Sequence, residues 1–172
     1  MLNKLTQGEL ERFEKARHAA WLLVEYAPRS VAELRHRLKL KRFGEAVIDR
    51  VIQEFQARDL LDDKKYARLV IEHSRFTRPQ GRQALMIQLR RKGISPDVIR
   101  EAFEGFSSEE ERALALEAAS RRFRDRAFGD PAKKKKRIFD FLRRRGFGGE
   151  VASSTAQRLC AEGLENDNNE NE

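Results

Sequence analysis

The chain has 172 residues, of which 37% are charged and 40% hydrophobic, and its formal charge is +8. That length suits one domain or an array of small units, the lone Cys160 excludes an intrachain disulfide and fits a reducing cytosol, and no apolar run approaches the roughly 20 residues that span a bilayer. The charged start (Lys4, Glu9, Glu11, Arg12) lacks the apolar segment of a signal peptide, so a soluble cytoplasmic protein is expected.

Helical periodicity runs through the whole chain, with no convincing stretch of apolar and polar alternation, so the fold class is all-α. Thr6 and Glu9 stand in capping-box spacing ahead of Phe13, Ala16, Ala20, Leu23 and Val24, and Tyr26 to Pro28 ends that first helix. Ser30 and Glu33 make a second capping box before Leu34 and Leu38. Phe43 and Gly44 mark a turn, after which Val47, Ile48, Val51, Ile52 and Phe55 form one apolar stripe. Three helices therefore make the first unit, residues 1–58.

The second unit, 59–106, repeats the plan. Asp62 and Asp63 stand at a helix start before Tyr66, Ala67, Val70 and Ile71, and that position favours N-capping over acid chemistry. Pro79 to Gly81 introduces the helix of Leu85 and Leu89, and Ser95 with Pro96 opens the next at N-cap and N1. In the third unit, 107–162, Ser107 and Ser108 precede Glu109, Glu110 and Glu111, acids suited to a helix N-terminus. Asp130 and Pro131 start its second helix, Gly146 to Gly149 end it, and the loop around Phe128 and Gly129 is longer than its counterparts. From Gly163 the run of Glu, Asn and Asp has no apolar period, and 163–172 is expected to be a disordered acidic tail.

The three units share a register. Leu38, Leu89 and Leu142 are each followed four residues later by Arg42, Gly93 or Gly146, then by Phe43, Ile94 or Phe147, with steps of 51 and 53 residues. Phe55, Phe106 and Leu159 keep the same steps. Such periodicity is the mark of a repeat protein, and the expected architecture is an elongated array of three three-helix repeats, about nine helices.

Together these landmarks resemble the RecX family of recombinase regulators. The resemblance rests on Ala32 to Arg35 with Leu38, on Leu60 to Asp63 followed by Tyr66 and Ala67, and on Arg82, Leu89, Arg90, Lys92, Gly93 and Ile94, and it extends from about residue 10 to 160. Phe76 to Gly81 departs in detail from the glycine- and aromatic-rich turn usual in the family at that place. The resemblance implies a nine-helix protein that lies in the groove of the RecA filament on DNA and inhibits strand exchange, ATP hydrolysis and the co-protease function.

Charge supplies an independent pointer. The end from Glu162 carries five acids and no base, leaving +13 on residues 1–161, an excess that favours a polyanionic partner. With Ile138 taken as the core direction, Phe141 and Leu142 lie beside it, Lys133, Lys136, Arg143 and Arg144 gather opposite, and Lys134 and Lys135 are expected to snorkel. By the repeat alignment Arg143 corresponds to Arg90 and Lys39, and Arg144 to Arg91 and Leu40. The candidate partner-binding residues are Lys39, Arg82, Arg90, Arg91, Lys133, Lys136, Arg143 and Arg144. Ile87 falls near the outward side of its helix, whereas Trp21 and the phenylalanines read first as core.

Catalysis finds no support in the sequence. His18, His36 and His73 form no i, i+4 pair, one cysteine gives no zinc spacing, and no glycine-rich stretch ends in Lys and Ser or Thr, so no metal, cofactor or enzymatic activity is expected. The expected function is regulation of a RecA-type recombinase filament by a monomer, with DNA contacted as part of the filament and no membrane involved. The alternative is a helical-repeat protein that binds DNA or RNA directly.

Overall fold

A computed structural model describes residues 7–123 and 130–169. Nine helices and no strand occur among them: α1 (Gln7–Tyr26), α2 (Val31–Leu40), α3 (Glu45–Ala57), α4 (Asp63–Phe76), α5 (Arg82–Arg91), α6 (Pro96–Ala102), α7 (Ser108–Phe123), α8 (Pro131–Arg144) and α9 (Gly149–Asn169). The all-α class and the three-helix repeats expected from periodicity are present. Thr6 and the loop at Phe128 and Gly129 lie outside the described residues. The acidic end differs from expectation: α9 continues past Gly163 to Asn169. Once a helix is nucleated each further residue adds a bond, and Ala161, Glu162, Leu164 and Glu165 are all good helix formers.

Helix starts follow local chemistry. Ser30 has extended backbone (φ −77°, ψ 160°) and completes a reciprocal capping box with Glu33. The Asp62 carboxylate accepts from the N–H groups of Lys64 (2.8 Å) and Lys65 (3.1 Å), capping α4. Asp63 does something else: it accepts from Val31 N at 2.9 Å and so satisfies an orphan donor at the start of α2. Asp130 accepts from Ala132 N at 2.9 Å ahead of Pro131 at N1.

The recurring Leu, Gly, apolar signature is a helix ending. In all three repeats the residue after the C-cap is left-handed: Arg42 (φ 63°), Gly93 (φ 76°) and Gly146 (φ 79°). Its N–H returns to the carbonyl of Lys39, Arg90 or Arg143 at 2.8, 2.9 and 3.0 Å, and the next N–H (Phe43, Ile94, Phe147) reaches that of Leu38, Leu89 or Leu142 at 3.3, 3.1 and 3.2 Å. These are Schellman endings, whose hydrophobic partners are the leucine and the residue after the turn. Leu38, Leu89, Leu142 and Phe147 are wholly buried accordingly.

Packing divides the chain into two compact units that cut across the repeats: Met1–Arg68 with Leu89–Ala102, and Leu69–Gln88 with Phe103–Glu172. In the first, α1, α2 and α3 pack on one another around Phe13, Ala16, Ala20, Leu34, Leu38, Ile48, Val51 and Phe55. In the second, α7, α8 and α9 enclose Leu114, Ala118, Ile138, Leu142, Phe147, Ala152 and Ala156. Each fully buried Leu, Ile or Phe contributes about 1.5–3 kcal/mol. Trp21 differs from the core placement expected of it, since it is 47% exposed, and Phe76 is 78% exposed. The buried positions of α1 are taken by Phe13, Ala16 and Ala20, and Trp21 lies outside them.

The reason for this division is a joint between consecutive repeats, present once in each unit. In the first, the Ser30 hydroxyl donates to the Lys92 carbonyl at 2.5 Å, and the Lys92 ammonium pairs with Glu33. Burial pushes the Glu33 carboxyl up, but hydrogen bonds from Lys92 and the Ser30 N–H, with the Lys92 charge, hold it below its ordinary value. Burial and the neighbouring Glu33 push the Tyr66 phenol up to about 12. In the second unit the corresponding residue is Gly81, whose own N–H donates to the Arg145 carbonyl at 2.9 Å, while Gln83 N reaches Gly146 O at 3.2 Å. A Cβ on Gly81 would lie 2.3 Å from Gly146 O, so this joint is made main chain to main chain.

Candidate interaction surface

The outward side of each repeat's second helix carries the cations proposed from sequence, and the structure uses them unequally. On α2, Lys39 pairs with Glu45, and Arg35 reaches Glu45 at 3.0 Å and Asp49 at 2.6 Å. Lys39 therefore helps to neutralise a local network and presents little uncompensated charge. On α5, Leu85 and Leu89 are fully buried, Ile87 is 50% exposed as its position predicts, and Arg90 and Arg91 are exposed with no ion pair among the described residues.

Arg82 departs furthest from expectation. Its backbone N–H donates to Glu111 Oε1 at 2.9 Å, its guanidinium donates to the Phe106 carbonyl, and the same group stands 4.9 Å from the Phe103 ring centroid and 5.2 Å from that of Phe106. Those two rings meet edge to face at 5.5 Å, and Arg82 closes over them as a structural cation. Its role is internal to the second unit.

On α8 the amphipathic reading holds. Ile138 and Leu142 are fully buried, and Lys133, Lys136, Arg143 and Arg144 are exposed. Lys134 is half-buried as expected of a snorkelling side chain, whereas Lys135, expected to do the same, is exposed. Lys133 stands 3.8 Å from Asp130. Arg143 donates to the Phe147 carbonyl at 2.8 Å and so clasps the turn that ends its own helix. The candidates left with exposed cations and no ion pair among the described residues are Arg90, Arg91, Lys136 and Arg144.

One basic cluster escaped the sequence reading. Arg122 closes α7, and with Phe123, Arg137, Asp140, Phe141 and Arg144 it lines a depression of about 320 Å³ in the second unit. Beside it Arg145 lies 4.8 Å from the Phe141 ring centroid and donates to the Pro79 carbonyl at 3.1 Å. Burial, then the like charges of Arg78 and Arg122, pull the Arg145 guanidinium below its ordinary pKa. The pair Arg121, Arg122 next to an aromatic was the available signal in the sequence. Arg145 falls beyond the last turn of α8, where a helical projection no longer places side chains.

No group of three or more His, Cys, Asp or Glu side chains suited to holding a metal occurs among the described residues, and no helix among them is long and apolar enough to cross a membrane.

Comparison with known proteins matches each repeat separately. Residues 16–55, 62–102 and 109–155 match the models of the first, second and third three-helix domains of RecX. The chain is 30% identical over 151 residues to a regulatory protein RecX of Clostridium perfringens, covering 87% of this chain and 70% of that one. It is 32% identical over 146 residues to one of Mycobacterium ulcerans, covering 84% of each. Among solved structures, RecX from Lactobacillus salivarius superposes with a TM-score of 0.74 at 21% identity, covering 87% of this chain and 97% of that one, a likeness of fold.

Proposed function

The chain belongs to the RecX family of regulatory proteins, and from that membership we propose that it acts in the cytoplasm by binding a RecA-type recombinase filament on DNA. It restrains the filament's strand exchange, ATP hydrolysis and co-protease function, and it does so as a binding protein without catalysis. The observation that supports the reading is an exposed cation repeated at one register on successive second helices, Arg91 on α5 and Arg144 on α8, with Arg90 beside the first and no ion pair to any of them among the described residues. A filament is a periodic polyanion, and a protein offering repeated positive positions engages several of its subunits at once, gaining affinity by multivalency and on-rate by charge complementarity.

Co-sedimentation at matched salt with recombinase filaments, with DNA alone and with free recombinase tests this reading. Pelleting with filaments beyond that with either component supports it. Pelleting with naked DNA only, with a steep salt dependence, would instead make the protein a direct nucleic-acid binder.

A further inference from the structure

We propose that the depression between the end of α7 and α8 is a pocket for one unpaired nucleotide of a single-stranded nucleic acid. Its floor is the edge-to-face pair Phe123 and Phe141, with ring centroids 5.4 Å apart and planes at 88°. Phe123 is 8% exposed, whereas Phe141 is only half-buried and offers a ring to the pocket. Among the described residues Arg122 and Arg144 stand on the rim with Arg137, which is already engaged elsewhere, and with one acid, Asp140, and the volume of about 320 Å³ accommodates a base with its phosphate.

The chemistry selects this ligand. Guanidiniums recognise phosphate by forked hydrogen bonds, and an aromatic floor accepts the face of any base, the combination that binds single strands without reading sequence. A duplex keeps its bases stacked inside, so it offers the rim phosphates but nothing for the floor. Arg145, which lies beside the pocket on the Phe141 ring, is burdened first by burial and then by the like charges of Arg78 and Arg122, so positive charge gathers on this side of the pocket. This inference deepens the filament reading by naming a DNA contact, and it rests on that reading only for its biological setting.

The test uses the full chain without recombinase: fluorescence anisotropy with a labelled single-stranded oligonucleotide and with a duplex of equal length, at one salt concentration. The single strand should bind roughly tenfold tighter, and Arg122→Glu should weaken it by about tenfold, the scale of one stacked and neutralised nucleotide. Phe141→Leu should remove most of the preference over duplex, and Arg122→Lys should restore part of the affinity. Arg100→Glu, the same charge change on exposed α6 of the first unit, should leave binding within about twofold. Equal affinity for duplex and single strand, or wild-type affinity in Arg122→Glu, overturns the pocket. Loss of filament pelleting with these oligonucleotide results intact would defeat the filament reading alone.

Discussion

Gly146 presses so closely on Ala84 that a Cβ on the glycine would lie 2.4 Å from the alanine Cβ. Gly93 stands in the same relation to Ala32, at 2.3 Å. Both glycines are also left-handed, so two independent constraints, conformation and space, meet at one atom. Arg42 shares the conformation with φ 63°, and its side chain is exposed.

Gly146→Ala and Gly93→Ala should each destabilise the protein by about 2–4 kcal/mol, combining left-handed strain with displacement of the joint. Arg42→Gly should be neutral or stabilising by up to about 1 kcal/mol, since it removes only the strain. Denaturant midpoints of the three variants check the contrast, and equal effects at all three positions would show that conformation alone sets the residue.

Ser30→Ala removes both the cap of α2 and the donor to the Lys92 carbonyl. A cost of about 2–3 kcal/mol is expected, more than the about 1 kcal/mol of an ordinary N-cap, because the carbonyl loses its partner inside the joint. Thermal unfolding followed by circular dichroism gives the value, and a loss at or below the ordinary cap would mean that water replaces the hydroxyl.

Tyr66 makes the first unit sensitive to alkali. Its folded pKa of about 12 lies above the ordinary phenol value, so the protonated phenol contributes stability that is fully present below pH 10.0 and is lost as the pH rises through about 12. In a Tyr26→Phe background, which leaves Tyr66 as the only tyrosine, tyrosinate absorbance should titrate near the higher value or jump with unfolding. Ordinary titration of a folded chain would contradict the buried Glu33 contact.

The cations should separate by role. Reversing Arg90, Arg91 and Arg144 together should abolish inhibition of the recombinase's DNA-dependent ATP hydrolysis and leave helicity intact, as all three are exposed. Arg82→Ala should instead lower stability by about 1–3 kcal/mol, through the Phe103 and Phe106 rings and the Phe106 carbonyl. Full inhibition by the triple variant would remove these residues from the proposed surface.

What could be read from sequence was whatever is decided within a few residues. The Ser30 and Glu33 box, the Asp130 and Pro131 start and the leucine, glycine and apolar endings are local hydrogen-bond patterns, and all three recur in space. The fate of a charged side chain is decided by what lies across from it. Lys39, Arg82 and Arg143 stood in one candidate set with Arg90 and Arg144, yet Glu45, the Phe106 carbonyl and the Phe147 carbonyl engage them. Trp21 and Asp63 failed for the same reason: a filled core left one outside, and the start of α2 recruited the other.

The Gly81 to Arg145 and Gln83 to Gly146 contacts join atoms that every amino acid other than proline possesses. Assembly in the second unit is thereby separated from surface identity. Substitutions at Lys136 or Arg144 change surface charge without touching the hydrogen bonds that hold neighbouring repeats together. With Gly81 and Gly146 kept for want of a Cβ, the side chains around this joint are free to change while its main-chain bonds persist.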